Sequence, residues 1–214
     1  MPMSATPSER QIDTAPFKAF ITQLNKNVLQ AADESTLLHA TRLALHTLVA
    51  TDSWLPPAYA GPSAMRYQQY LLYVDPEERF SVVSFVWGPG QETPIHNHTV
   101  WGLIGMLRGA ERSQTFHVLE DGRLAPGQTT VLHPGDVDVV SPTLGDIHRV
   151  SNFYQDQVSV SIHVYGADIG KMQRSVFAED GTQKTFISGY SNGALPSLIT
   201  GIFNAHANLE PHVL

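Results

Sequence analysis

Two histidines lie two positions apart in a spacing that suits metal chemistry. His96 and His98 belong to the segment 94–100, PIHNHTV. Residues two apart in a strand point to the same face, so both imidazoles can reach one ion. Neutral imidazole is a common ligand for Fe, Zn, Cu and Ni. A single His-x-His pair also fits two hydrogen-bonded histidines near a strand end, and alone it is weak evidence.

A second pattern lies in the segment 158–165, VSVSIHVY. Its apolar residues alternate with polar ones, which predicts a strand with two different faces. The polar face carries Ser159, Ser161, His163 and Tyr165, while the apolar face carries Val160, Ile162 and Val164. A hydroxyl, an imidazole and a phenol in a row suit a hydrogen-bonded chain inside a polar cavity. An ordinary solvent-facing strand would carry Lys or Glu instead.

These residues need a framework of helices and strands. Apolar positions at three- and four-residue steps predict a helix from Pro16 to about Gln30. Asp33 or Ser35 can cap a second helix. From about Tyr67, short apolar or alternating segments are separated by Gly and Pro roughly every ten residues, which is typical of a β-sandwich or barrel. The strands expected include 68–74, 80–87, 102–107, 114–118, 136–140 and 158–165.

Composition excludes several classes of protein. Hydrophobic residues make up 42% of the 214 residues and charged residues 15%, so the chain is not of the disordered type. A net charge of −7 without a basic block argues against nucleic acid or an anionic membrane as a partner. No apolar run approaches the roughly 18 residues of a membrane span, and no signal peptide is evident. The absence of cysteine excludes disulfides and thiolate sites and fits a cytoplasmic protein.

The expected organisation is a single domain over 15–214 that follows a flexible tail at 1–14. Within this domain, 15–57 is the helical part, and 66–192 forms the β-barrel with a less regular tail.

The spacing around the histidine pair resembles the first motif of the cupin superfamily, G-x5-H-x-H-x3,4-E-x6-G. Gly90, His96 and His98 match that motif. The glutamate of the motif is absent, because Gly102 and Leu103 occupy the positions where it would fall.

The second cupin motif, G-x5-P-x-G-x2-H-x3-N, is matched in its later part by Gly145, His148 and Asn152. The steps from Gly135 to Pro142 and from Pro142 to Gly145 are each one residue longer than in the motif. The resemblance implies a mainly β fold, a cupin (double-stranded β-helix) barrel with N-terminal helices.

The same resemblance implies a metal site formed by His96, His98 and His148, without a carboxylate ligand. Three histidines leave several coordination positions open, as an Fe(II) centre that binds substrate and O2 together requires.

A cupin without the glutamate is similar to the thiol dioxygenases, the cysteine dioxygenase-like branch. The likeness lies in RYQQY at 66–70, the His-Asn-His segment, GDIHRV at 145–150 and SVSIHVYG at 159–166. Members of this family are non-haem iron enzymes that add both atoms of O2 to a thiol and form a sulfinate.

That family carries a Ser-His-Tyr relay, which Ser161, His163 and Tyr165 match. The implied roles are that Ser161 orients His163, that His163 bonds the Tyr165 hydroxyl, and that Tyr165 contacts the iron-bound ligands. Animal-type members link this tyrosine to a cysteine. Gly102 lies about where that cysteine would be, so Tyr165 is expected to be a free phenol.

Two residues bear on the substrate. Gln69 occupies the position where cysteine-specific members have an arginine for the substrate carboxylate, and glutamine cannot form a charge-assisted bidentate pair. The chain therefore resembles the Gln-type subgroup, which prefers 3-mercaptopropionate. Arg174 lies where that subgroup has an arginine thought to reach the carboxylate. A solvated residue on a loop or helical turn is the equally weighted alternative for Arg174.

The expected activity is thus an iron-dependent thiol dioxygenase with one Fe(2+) per chain, O2 as co-substrate and a small thiol carboxylate as substrate. It would act as a monomer or small homo-oligomer. Cysteine and mercaptosuccinate are the alternative substrates. A non-oxidative metallocupin with Zn or Mn and a metal-free binding module are the alternative functions.

Overall fold

The computed structural model describes residues 12–193 and 196–199. Most of the predicted tail at 1–14 and the last residues of the predicted domain lie outside the described residues. The helices are α1 (Ala15–Gln30) and α2 (Glu34–Val49), followed by a short 3-10 turn (Pro57–Tyr59). The strands are β1 (Gln68–Val74), β2 (Ser81–Trp87), β3 (Ile95–His96), β4 (Gly102–Arg108), β5 (Glu111–Val118), β6 (Leu124–Leu132), β7 (Val137–Val140), β8 (His148–Asn152), β9 (Ser159–Tyr165), β10 (Arg174–Phe177) and β11 (Gln183–Phe186).

The strands form two antiparallel sheets. The first sheet has the order β1-β2-β9-β4-β7 and the second has the order β11-β10-β3-β8-β5-β6. Strands distant in the chain are neighbours, since β9 lies between β2 and β4, and β8 lies between β3 and β5. This crossing pattern is that of a double-stranded β-helix. The predicted cupin barrel with N-terminal helices is confirmed.

The two helices cover the outer face of the first sheet. Pro16 stands at the start of α1, and the Asp33 side chain caps α2 by accepting a hydrogen bond of 2.7 Å from the Thr36 N–H. Gly105 in β4 allows α2 to approach closely, because a Cβ there would lie 2.9 Å from Cγ of Leu45. The helices and the sheet share one hydrophobic core of buried residues, which includes Phe17, Ile21, Leu24, Leu45, Val82, Val86, Leu103, Val160, Ile162 and Val164.

Strand β9 separates this core from the interior of the barrel. All seven residues of β9 are buried, on both faces. The apolar residues at alternate positions pack towards the helices. The polar residues therefore face the interior between the two sheets rather than solvent, which is the condition that a polar cavity requires.

The segments predicted as strands do not include β6, β8, β10 and β11, whereas β3 contains His96 of the pair that was placed on a strand. Pro126 and Gly127, residue types that usually separate strands, lie within β6. A register shift against β5 occurs next to Pro126. Because β6 is the edge strand of its sheet, a proline there costs no ladder hydrogen bond to a further strand. Among the described residues, no helix has the length and hydropathy to cross a membrane.

We expect Leu45→Ala to lower the free energy of unfolding by about 3 kcal/mol, because it opens a cavity between α2 and the first sheet. Leu43 on the same helix is 59% exposed, and Leu43→Ala should cost less than about 0.5 kcal/mol. Urea unfolding followed by circular dichroism measures both variants. Equal losses in the two variants would contradict the assigned packing of α2.

Candidate metal centre

Three buried imidazoles meet in the interior of the barrel. His96 on β3 lies directly opposite His148 on β8, and His98 follows two residues after His96. The ring centroids are 4.8 Å apart for His96 and His148 and 4.9 Å apart for each of the other two pairs. One nitrogen of each ring lies within 4.8 Å of the other two. This is the spacing at which three nitrogens can share one ion.

A hydrogen bond at Nδ1 orients each ring. His96 Nδ1 is 3.0 Å from the Pro94 carbonyl oxygen, and His98 Nδ1 is 2.9 Å from Oδ1 of Asp146. His148 Nδ1 is 3.2 Å from Oγ of Ser113. Carbonyl and carboxylate acceptors require the proton on Nδ1, which leaves the Nε2 lone pair free for a metal. Among the described residues, His148 Nε2 is buried and has no hydrogen-bond partner.

Asp146 holds the segment that carries His98. Its carboxylate accepts the backbone N–H groups of His98 at 3.0 Å and of Thr99 at 2.7 Å, in addition to the bond with the His98 ring. These bonds stabilise Thr99 at a φ of +63°, which a β-branched residue rarely adopts. Asp146 thus fixes both the backbone and the ring of one histidine.

Electrostatics keep the three rings neutral. Burial, together with the charge of the neighbouring histidines, holds the pKa of His96 and of His148 well below its usual range. Burial also lowers the pKa of His98, although Asp146 opposes the shift. Neutral imidazoles are the form that binds metal. Three nitrogen donors, with no carboxylate in the group among the described residues, fit a divalent ion such as iron or zinc.

Tyr165 lies beside this cluster at the end of the predicted relay. Its ring stacks on His98 with centroids 5.2 Å apart, and its hydroxyl is 2.8 Å from His163 Nδ1. His163 Nε2 is 2.8 Å from Oγ of Ser161. Burial raises the pKa of Tyr165 strongly, so its phenol stays protonated. Gly102 lies opposite Tyr165, where a Cβ would come within 2.9 Å of the phenol ring.

Arg174 on β10 faces the same interior. Val176 pairs with His96, and residues two apart in a strand share a face. Arg174 is 5% exposed, so the alternative of a solvated loop residue is wrong. Its Nη2 donates to Ser188 Oγ at 2.7 Å, and its guanidinium lies 4.7 Å from the ring centroid of Phe186. Within the described residues, its Nε has no partner and no acidic side chain forms an ion pair with it.

Gln69 is half-buried on β1. It lies opposite Phe85, which in turn lies opposite Ser161. Directly opposite residues in antiparallel strands point to the same face, so the Gln69 side chain is on the relay side of the first sheet. The backbone of Gln69 is fixed by Ser191, whose Oγ accepts the Gln69 N–H at 3.0 Å.

Sequence reasoning missed the residues that hold the histidines, Ser113 and Asp146. It also missed Glu111, whose pKa burial raises to about 7. The predicted strand began at Gln114, whereas β5 begins at Glu111 and turns both Glu111 and Ser113 inward. Glutamate is uncommon in strands, which hid this start. The place of Asp146 two residues before His148 did not reveal its role, because its carboxylate bonds the ring of His98, 48 residues away in the sequence.

No protein-family model matches the sequence. The chain is similar to cysteine dioxygenase type 1 of Danio rerio, with 29% identity over 92 residues. The match covers 41% of this chain and 45% of that protein, so the chain spans less than half of the relative's length. This partial similarity supports the resemblance to the cysteine dioxygenase-like branch of the cupins that the motifs indicate.

Two solved structures show weaker likeness. A conserved protein of Klebsiella pneumoniae with a double-stranded β-helix domain has a TM-score of 0.45 at 20% identity, over 57% of this chain and 88% of that one. A cupin superfamily protein of Desulfitobacterium hafniense has a TM-score of 0.40 at 19% identity, over 53% and 90%. Because both TM-scores are below 0.5, the fold assignment depends on the strand order described above and not on these structures.

We expect Asp146→Asn to weaken metal binding about 10- to 100-fold, because the amide removes the charge that orients the His98 ring. Titration of the metal-free protein with Zn2+ in competition with a chelating dye measures the affinity. The exposed Asp136→Asn serves as the matched control and should leave the affinity unchanged. An Asp146→Asn variant with wild-type affinity would show that Asp146 does not support the metal site.

Proposed function

We propose that this protein is an Fe(II)-dependent thiol dioxygenase that converts a small thiol carboxylic acid and O2 to a sulfinate. The preferred substrate in this proposal is 3-mercaptopropionate, which gives 3-sulfinopropionate. Cysteine and mercaptosuccinate remain the alternative substrates. The partial similarity to cysteine dioxygenase type 1 and the three-histidine group support the reaction class.

One observation carries the proposal: Arg174 is buried beside three neutral imidazoles, and no acidic side chain among the residues that the structure describes pairs with it. A buried unpaired charge is unfavourable unless a ligand of opposite charge completes the site. The Arg174 guanidinium lies close enough to lower the pKa of His96 and of His98. A substrate carboxylate on Arg174 would direct its other end towards the imidazoles. This geometry fits a short acid whose far end carries a thiol.

His96, His98 and His148 would hold an Fe(II) ion, which would supply the redox chemistry of oxygen transfer to the thiol. The protein excludes water, since all three ligands are buried. Tyr165 keeps its proton and offers a hydrogen-bonding oxygen beside the cluster.

Gln69 supports the choice of thiol. It brings no charge to the interior face, so Arg174 is the cation that the described residues offer there to a substrate carboxylate. A substrate with a single carboxylate and no amino group matches this arrangement. Cysteine would bring an ammonium group, for which these two residues offer no carboxylate.

We expect protein purified with iron to hold about one iron per chain and to consume O2 when 3-mercaptopropionate is added. His96→Ala should lose most of the iron and the activity, since two imidazoles remain. His117→Ala, at an exposed histidine, is the matched control and should retain both. Metal analysis and an oxygen electrode give the two readouts. Full iron content and activity in His96→Ala would refute the proposed ligand set.

We expect Arg174→Gln to lower kcat/KM for 3-mercaptopropionate about 100-fold, mainly through KM, because a buried charge-assisted pair with the carboxylate is lost. Arg123→Gln, at an exposed arginine, should leave kcat/KM unchanged. In Gln69→Arg, relative activity should move towards cysteine. Steady-state kinetics over a panel of small thiol acids measures these values. A wild-type enzyme that prefers cysteine by a wide margin would refute the role assigned to Gln69.

A further inference from the structure

A buried carboxyl group lies at the inner end of the relay. Glu111 on β5 is 1% exposed and turns inward like Ser113, which bonds His148. Neither of its carboxyl oxygens has a hydrogen-bond partner among the described residues, and no basic side chain there pairs with it. A buried acceptor without a partner is unfavourable and rare in folded proteins.

The polar groups that reach Glu111 are the Ser161 hydroxyl and the Trp87 indole N–H. Both favour the charged carboxylate, but burial is the larger effect and raises the pKa of Glu111 to about 7. Trp87 Nε1 also donates to Ser161 Oγ at 3.3 Å. Neither contact of the carboxyl with these groups meets the geometry of a normal hydrogen bond in this structure. Glu111 thus adjoins the relay at Ser161.

We propose that Glu111 is a positioning residue whose protonation state sets the direction of the hydrogen bonds along Ser161, His163 and Tyr165. With Glu111 charged, Tyr165 presents an acceptor oxygen to the metal centre. With Glu111 neutral, Tyr165 presents its O–H as a donor.

The charged state follows from the chemistry of each group. A carboxylate only accepts, so Ser161 donates to Glu111. Ser161 then accepts from His163 Nε2–H, which makes Nδ1 the acceptor of the Tyr165 O–H. The lone pairs of the phenol oxygen remain for the site.

In the neutral state every bond reverses. The Glu111 O–H donates to Ser161, Ser161 donates to His163 Nε2, and the proton of the ring moves to Nδ1, which donates to the Tyr165 oxygen. The Tyr165 O–H is then free to point at the site. Ser161 accepts from Trp87 in both states and uses its one proton and two lone pairs in each. The relay is therefore fully bonded either way, and the buried imidazole stays neutral.

The reversal delivers one proton to Glu111 and leaves Ser161, His163 and Tyr165 each neutral. A proton that arrives at the Tyr165 oxygen displaces the phenol proton to His163 Nδ1, the Nε2 proton passes to Ser161, and the Ser161 proton passes to Glu111. Under the proposed function, on which this step rests, the arriving proton is the one that a substrate thiol loses when it binds as thiolate.

The other charged and titratable groups have to be held constant in a test. Burial, Ser161 and Trp87 set the pKa of Glu111, and its carboxyl in turn raises the pKa of Tyr165. His163 is faced by His96 and His98, and Tyr165 is faced by Arg174. Zn2+ in the site keeps the ligand imidazoles in their neutral form. It is also diamagnetic and carries out no oxidation.

The experiment follows the tautomer of His163 by nuclear magnetic resonance. The full-length, Zn2+-loaded protein is labelled with 15N-histidine, and His163→Gln assigns the resonance. Between about pH 5.5 and 8.5 the ring should change from the Nδ1–H to the Nε2–H tautomer in the wild type, with a midpoint near the titration of Glu111. Glu111→Gln cannot titrate and should lose this change. Glu120→Gln, at an exposed glutamate, should retain it.

Ser161→Ala tests whether the coupling passes through the relay. Glu111 still titrates in that variant, but His163 should no longer follow it. A wild-type ring that keeps one tautomer over the whole range overturns the proposal, even if the variants fail to fold. Persistence of the change in Glu111→Gln or in Ser161→Ala also overturns it. None of these readouts needs activity, so a protein that oxidises no thiol yet shows the transition would refute the proposed function alone.

Discussion

The structure depends on keeping three imidazoles uncharged and facing one another in the interior of a barrel. Burial favours the neutral rings, and partners at Nδ1 direct their Nε2 atoms inward. A charged ring in the same place would repel its neighbours and lose its solvation. Every other feature of the site serves this arrangement or uses it.

The barrel provides the arrangement through strand pairing. One ladder contact, His96 opposite His148, joins two strands that lie about fifty residues apart in the sequence. The first sheet contributes the relay from the facing side, with its apolar face sealed by the helices. Alternation along a single strand, β9, thus serves the core with one set of side chains and the site with the other.

The helices, strand β9 and the histidine pair could be predicted from the sequence, because each depends on a local pattern of residues. The helices, the alternation in 158–165 and the histidine spacing depend on periods of a few residues, and the structure keeps them. What could not be predicted depends on contacts across the barrel. Asp146 and Ser113 matter only because they lie beside particular ring nitrogens, and Glu111 matters because β5 turns it towards β9. The short strands β3 and β10 exist because of their neighbours rather than their own propensity.

The burial of Arg174 also could not be predicted from the sequence. Its sequence position alone left burial and solvation equally weighted, and the pairing of Val176 with His96 decided for burial. Arg174 has no acidic partner within the described part of the chain, and the three imidazoles beside it are neutral, so an anion would be stabilised in this interior. Under the proposed function, a small thiol carboxylate would bind Arg174 with its carboxylate and the metal with its thiol.

Mass spectrometry of the product formed under 18O2 distinguishes dioxygenation of a thiol from other thiol oxidations. The iron-loaded protein and 3-mercaptopropionate should give a sulfinate in which both oxygen atoms on sulfur carry the label. A product without label, a product with one labelled oxygen, or a disulfide in place of a sulfinate would contradict the account.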